Sequence, residues 1–255
     1  MSLLRIQNCT MNFGGLVCID GLDAALESGQ LSGMIGPNGA GKTTVFNIIT
    51  GVYKPTSGKI FFDDIDITGE KPYEIAARGI SRTFQNIRLF ASLTVEENLK
   101  ISFNKNLKNK YFSSMFGFPQ IKKETSEIEE KINKLLEIFG LKDVKNSIAV
   151  SLPYGLQRKV EITRALATSP KLLLLDEPAA GMNPSEKKEL MQLIRFIKEQ
   201  FGISIFIIEH DMNVIMGICE KVIVLDYGKK IAEGSPKVVQ SDEKVIEAYL
   251  GEKKK

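Results

Sequence analysis

The sequence predicts an α/β fold in which a parallel sheet covered by helices is joined to an antiparallel β section and interrupted by a helical insertion. Three observations predict it. Lys171 to Asp176 holds four consecutive leucines and Ile203 to Ile208 is apolar but for Ser204, the pattern of parallel strands covered on both faces. An amphipathic segment separates the two runs, giving the strand–helix–strand alternation of a parallel core. A third apolar run, Leu31 to Ile35, enters the glycine-rich stretch Gly36-Pro37-Asn38-Gly39-Ala40-Gly41-Lys42-Thr43.

Taken in order, Leu3 to Thr10, Leu16 to Leu26 and Gly58 to Ile67 read as strands. Turn residues such as Glu27-Ser28-Gly29-Gln30 and Lys54-Pro55-Thr56-Ser57-Gly58 divide them, and the short connections imply antiparallel pairing. After Lys42, the residues Val45, Phe46, Ile48 and Ile49 describe a buried helix closed by Gly51. From about Thr94 to Ala167 the character changes. Thr94 and Glu97 form a capping box, and Ile128, Ile132, Leu135, Leu136 and Phe139 keep a helical period up to Gly140.

A further helix runs from Gly155 to Ala167, so this middle part reads as an inserted helical subdomain. Its lysine-rich stretch, Lys100 to Lys123, is interleaved with Tyr111, Phe112, Met115, Phe116 and Phe118. Packing beneath a solvated face is the favoured reading, with a partner-facing surface as the alternative. The helix between the two apolar runs has a legible start: Asn183 as N-cap, Pro184 at the first position and Glu186 three residues after the cap. Leu190, Leu193, Ile194, Ile197 and Phe201 recur at helical spacing until Gly202.

Composition excludes several function classes. The 255 residues are 43% hydrophobic and 25% charged, and no apolar run approaches the roughly 20 residues that span a bilayer. The N-terminal segment lacks a basic region followed by an apolar stretch, so no signal peptide is expected. Cys9, Cys18 and Cys219 have neither metal nor disulfide spacing, which fits a reducing cytosol. A net charge of +3 with dispersed lysines argues against a nucleic-acid surface. The Lys253-Lys254-Lys255 tail is expected to fray.

The glycine-rich stretch carries the chemistry. Successive backbone N–H groups and a helix N-terminus make a concave anion site, where Lys42 can reach β and γ phosphates and Thr43 can ligate magnesium. Asp176-Glu177-Pro178 ends the leucine strand, and ligands in open parallel sheets sit beyond the carboxyl ends of strands. There Asp176 would hold the magnesium shell and Glu177 would polarise an attacking water. His210, the one histidine, follows the Ile203 to Ile208 strand, so an orienting contact to the γ-phosphate is favoured over a merely structural role. Gln85 reads as an ordinary loop amide on composition alone.

These residues resemble the ATP-binding subunits of ABC transporters over essentially the whole chain. Phe13 falls where the family stacks an aromatic on adenine; residues 36 to 44, ending on Thr44, match the Walker A loop and Gln85 the Q-loop. Leu172 to Glu177 match Walker B with its catalytic glutamate, Ala180-Gly181-Met182-Asn183 the D-loop, and His210 the switch histidine. The resemblance implies one cassette over residues 1–255, with a P-loop NTPase, RecA-like core at about 1–86 and 168–255 and a helical subdomain at about 87–167. It also implies ATP and Mg2+ as cofactors, with Thr43, Gln85 and Asp176 around the metal. The catalytic set would be Glu177, His210, Gln85 and Lys42.

Finer features resemble the branched-chain amino acid importer subunit of the LivG type: Arg82-Thr83-Phe84-Gln85-Asn86-Ile87-Arg88-Leu89-Phe90, Leu93 to Leu99, Ala179 to Pro184, and the ending Ile246 to Glu252. A cassette of lipopolysaccharide export shares a comparable ending, while its Q-loop surroundings differ from those here. A DNA-acting relative would carry a coiled-coil insertion between the Walker motifs, and a ribosome-acting one a second cassette. The implied partners are a second ABC ATPase subunit of a different chain, membrane permease subunits and, through them, an extracytoplasmic substrate-binding protein. The implied place is the cytoplasmic side of the cell membrane, peripherally bound.

One departure stands out. The family signature is Leu-Ser-Gly-Gly-Gln, and this chain has Leu152-Pro153-Tyr154-Gly155-Leu156-Gln157. Pro153 offers no N–H donor. In this family the signature completes the ATP site of the partner, so any weakness is expected there.

Overall fold

The computed structural model describes residues 2–103 and 119–250. They form two compact units, one of residues 1–85 with 171–255 and the other of residues 86–170. The lysine- and aromatic-rich expectation over Tyr111, Phe112, Met115, Phe116 and Phe118, and the Lys253–Lys255 tail, lie outside the described residues.

The first unit opens with two long strands, β1 (Ser2–Phe13) and β2 (Leu16–Glu27), then β3 (Leu31–Ile35) and helix α1 (Lys42–Ile49). Next come β4 (Ser57–Phe62), β5 (Ile65–Asp66), α2 (Pro72–Arg78) and β6 (Ile80–Arg82). An antiparallel sheet has the order β2-β1-β4-β5, with Leu4 opposite Phe62 and Ile6 opposite Ile60. Those four side chains are buried, so one face of this sheet is core. The strand expected over Gly58 to Ile67 is in fact two. Asp63 (φ 53) and Asp64 (φ 60) both take left-handed backbone and fold β5 back on β4, the conformation a two-residue hairpin requires.

The second unit holds α3 (Val95–Ser102), α4 (Pro119–Ile138) and α5 (Tyr154–Leu166). The Thr94 and Glu97 capping box is present, with the Thr94 Oγ accepting from the Glu97 N–H. Apolar residues at helical spacing on α3, α4 and α5, among them Leu99, Ile132, Leu136, Val160 and Ile162, are fully buried. Asn98 and Arg158 are buried with their partners. Asn98 exchanges hydrogen bonds with the Phe90 main chain, and Arg158 pairs with Glu161 at 2.7 Å.

The chain then completes the first unit with β7 (Leu172–Asp176), α6 (Pro184–Phe201), β8 (Ser204–Ile208) and α7 (Met212–Ile218). β9 (Lys221–Asp226), β10 (Lys229–Gly234), α8 (Pro236–Gln240) and α9 (Glu243–Leu250) follow. The second sheet has the order β10-β9-β3-β8-β7-β6, parallel except for β10. Every residue of β3, β7 and β8 is buried, which is why these runs are mostly apolar and lack a polar face. α6 starts as expected: Asn183 accepts from Ser185 and Glu186, and Gly202 (φ 61) ends the helix.

Candidate functional site

β3 runs straight into the glycine-rich loop. Gly36 (φ 152), Gly39 (φ 81) and Gly41 (φ 103) take backbone that other residues rarely adopt. Space forbids side chains at two of them. A Cβ on Gly36 would stand 2.1 Å from the Leu225 carbonyl oxygen, and one on Gly41 2.7 Å from that of Cys18. Pro37 is half-buried, Asn38 and Gly39 are exposed, and buried Ala40 donates its N–H to the Pro37 carbonyl.

The loop wraps its own lysine. Lys42 Nζ donates to the carbonyls of Gly36 (2.7 Å) and Pro37 (3.0 Å). Burial lowers its pKa, opposed by the negative charges of Glu177 and Asp176. Thr43 is exposed and Thr44 half-buried on the first turn of α1, where N–H groups have no acceptor inside the helix. The C-terminal helix reaches this loop too. Burial raises the pKa of Tyr249 on α9, and a main-chain hydrogen bond from Gly36 opposes that rise.

One strand, β8, separates β3 from β7, so the loop and the end of β7 lie about 10 Å apart across the carboxyl edge of the sheet. Asp176 is buried and accepts from Arg82 Nη2 at 2.7 Å; Arg82 also donates to Asn47 and Thr50 of the α1 segment. Glu177 follows with left-handed backbone (φ 44). Its Oε2 accepts from Gln85 Nε2 at 2.8 Å and lies 3.4 Å from His210 Nδ1. Gln85 and His210, far apart in sequence, thus converge on the Glu177 carboxylate.

Between Ile208 and His210 stands Glu209, so the histidine does not follow the strand directly. Glu209 is fully buried. Its Oε1 accepts from the Ala179 N–H at 2.7 Å, and its Oε2 from the His210 N–H at 3.1 Å. Burial raises its pKa, and these main-chain donors oppose the rise.

The donor set suits magnesium. Thr43 supplies a hydroxyl, Asp176 a carboxylate and Gln85 an amide, all hard groups; Mg2+ takes one or two carboxylates and completes its shell with phosphate and water. Among the described residues no cluster of three or more His, Cys, Asp and Glu could cage an ion, so an ion here would depend on a bound phosphate.

Phe13 and the segment Leu152 to Gln157 have surroundings of their own. Phe13, at the end of β1, is 40% exposed and packs edge-on against Tyr53, with ring centroids 5.1 Å apart. Leu152 to Gln157 belong to the second unit. There Pro153 is the N-cap of α5 and gives no side-chain cap; helix begins at Tyr154, one residue before the expected Gly155. Gln157 Nε2 turns back onto the Leu152 carbonyl at 2.7 Å. Among the described residues a Cβ on Gly155 would meet nothing within 4 Å.

The ABC transporter family model matches residues 19–180. The chain belongs to the ABC transporter family. The family model for branched-chain amino acid ATP-binding cassette transporters matches residues 229–255 of this cassette. It is 41% identical to a high-affinity branched-chain amino acid transport ATP-binding protein of Pseudomonas aeruginosa, over 98% of each chain. Its identity to the corresponding protein of Escherichia coli K12 is 42%, again over 98% of each. A nucleotide-free ATP-binding cassette from an ABC transporter, solved by crystallography, superposes with a TM-score of 0.85 at 36% identity, over 99% of this chain and 100% of that one.

ABC transporter ATP-binding subunits are ATPases coupled to transport, and those of importers work with membrane permease subunits. Among the described residues of this cassette no helix is long and apolar enough to cross a membrane. Sequence reasoning missed Arg82, Glu209 and Tyr249. A buried arginine beside an acidic strand end could not be found from spacing, because Arg82 and Asp176 are 94 residues apart. Glu209 did carry a signal: a carboxylate continuing the apolar run from Ile203 to Ile208 needs partners if it is buried.

Proposed function

We propose that this cassette binds and hydrolyses ATP to power import of branched-chain, hydrophobic amino acids across the cytoplasmic membrane. The observation that carries the ATPase part is the convergence of Gln85 and His210 on Glu177, at the sheet edge that also presents Lys42. The substrate class is supported by the branched-chain family match at residues 229–255 and by the relatives' names.

In this reading the Gly36 to Thr43 backbone and the α1 N-terminus take the β and γ phosphates. Lys42 exchanges its two carbonyl acceptors for phosphate oxygens, which costs little because the ammonium is already desolvated. Bound Mg2+ would neutralise phosphate charge, held by Thr43, Asp176 and Gln85. Arg82 fixes Asp176 and leaves its second oxygen for that shell. Glu177 orients and deprotonates the attacking water, a contribution of about 10²–10⁴ in rate. His210 steadies Glu177 and contacts the γ-phosphate. Phe13, beside Tyr53, stacks on adenine.

The other participants belong to the same proposal. A second cassette of a different chain lays its signature on this ATP, and Leu152 to Gln157 serve the partner's site in return. Permease subunits and an extracytoplasmic binding protein select the amino acid, with the cassette held at the cytoplasmic face. Uptake of labelled leucine into cells whose own cassette is replaced by Lys42→Ala is expected to vanish; uptake at the original rate overturns the reading. Pro153→Ser adds the hydroxyl that the signature lacks and a side-chain cap for α5. It is expected to raise hydrolysis at the partner's site, measured in a complex whose own site is disabled by Glu177→Gln, and an unchanged rate rejects a weakened signature.

A further inference from the structure

The geometry points to Glu209 as a positioning residue for hydrolysis, one that locks the turn carrying His210 to the turn that follows Glu177. It rests on the reading of Glu177 and His210 given above.

The case starts from burial. Glu209 has 0% exposure, and a buried carboxylate without donors is strongly unfavourable. Both of its oxygens are used, and by different segments. Oε1 holds the N–H of Ala179, two residues after Glu177, at 2.7 Å. Oε2 holds the N–H of its own neighbour His210 at 3.1 Å and approaches that of Asp211 at 3.5 Å. One side chain therefore joins the segment 177–182 to the segment 210–213.

The surroundings extend the lock. The Glu177 N–H donates to the Ile208 carbonyl at 2.9 Å, so the main chain already ties the two turns together one residue before Glu209. Asp211 caps α7 through the Asn213 N–H and accepts Lys187 Nζ of α6 at 2.6 Å. His210 itself is more than half exposed, and its ring Nδ1 lies 3.4 Å from Glu177 Oε2 and 3.9 Å from Glu209 Oε2. Glu209 thus holds the backbone of His210 and stands beside its ring. A carboxylate is needed because both oxygens must accept. A glutamine offers one acceptor and would turn its NH₂ towards a second N–H, and an aspartate is one methylene too short to reach Ala179.

The test uses Glu209→Gln and His210→Ala, singly and together, in the full chain purified with the membrane subunits that copurify with it, supplied with ATP and Mg2+. Glu209→Gln is expected to lower kcat about ten- to hundredfold while KM for ATP stays within about twofold. In the His210→Ala background it is expected to add almost nothing, since it acts through that histidine. Wild-type kcat in a folded Glu209→Gln complex overturns the inference, as does a full additional loss in the double variant. If His210→Ala alone keeps wild-type turnover, the reading of the histidine fails instead. Amide hydrogen exchange on the full chain gives a measurement independent of turnover. Glu209→Gln, or Glu209→Asp if the first does not fold, is expected to lose protection at residues 179–182 and 210–213 and keep it over Lys42–Ile49; unchanged protection in both turns also overturns the inference.

Discussion

Glu177 and Glu209 occupy equivalent places on neighbouring parallel strands and meet opposite fates. Each is the first residue after its strand, β7 or β8, and each donates its N–H across to the next strand, Glu177 to Ile208 and Glu209 to Met34. Glu177 turns left-handed at φ 44, and its side chain, 16% exposed, meets the side chains of Gln85 and His210. Glu209 is absent from the left-handed set, is fully buried and meets main-chain N–H groups. Sequence position alone would give them the same role. Partners separate them: a carboxylate served by mobile side chains next to solvent can exchange one for water, whereas one saturated by backbone donors can only hold those donors in place.

The largest effect that tests this contrast is on turnover. Glu177→Gln keeps size and a hydrogen-bonding oxygen but cannot take a proton from water. ATP hydrolysis by the assembled complex should fall by at least about 10², with nucleotide binding retained. Measured phosphate release close to the wild-type rate would remove Glu177 from its role and leave the two glutamates functionally alike.

Stability should show the reverse order. Glu209→Ala strips the buried N–H of Ala179 and the part-buried N–H of His210 of their acceptor. A loss of about 1–3 kcal/mol is expected, read from denaturant unfolding of the full chain. Glu177→Ala leaves groups that water can reach and should cost less. Equal losses at the two positions would erase the distinction drawn from burial.

The two glutamates also mark how far the sequence could be read. β7 and β8 were legible because strands covered on both faces have no polar alternation, and α6 because Asn183, Pro184 and Glu186 write its start in local chemistry. The loop from Gly36 to Thr43 was legible as a contiguous eight-residue pattern, although the close approaches that bar side chains at Gly36 and Gly41 come from Leu225 and Cys18. β6 was not, being three residues long, and the single strand expected over Gly58 to Ile67 runs through Asp63-Asp64, although paired aspartates are a turn signal. The hairpin of β9 and β10 has a signal of its own, the apolar run Val222 to Leu225 before the Tyr227-Gly228 turn. In the candidate site, sequence placed Asp176, Glu177 and His210 at strand ends. The contacts of Gln85 to Glu177 and Arg82 to Asp176 close over 92 and 94 residues, and such pairs exist only once the sheet has assembled.

The smallest expected effect isolates the backbone difference. At φ 44 a residue with a Cβ is strained, by roughly 1–2 kcal/mol, and glycine is not. Glu177→Ala and Glu177→Gly lose the same contacts with Gln85 and His210, so comparing them leaves the strain against the greater chain entropy of unfolded glycine. Because the second term is about 0.5–1 kcal/mol, the glycine variant should be the more stable by up to about 1 kcal/mol, seen as a higher midpoint in thermal unfolding. Glu209 has no such strain, so there the order should invert, with Glu209→Ala above Glu209→Gly. An alanine advantage at both positions would mean that the left-handed turn at Glu177 stores no strain. Glycine ahead only at 177 would mean that the chain carries a destabilised backbone where the proposed base stands and nowhere else in this pair, as expected where strain serves a site and not the fold.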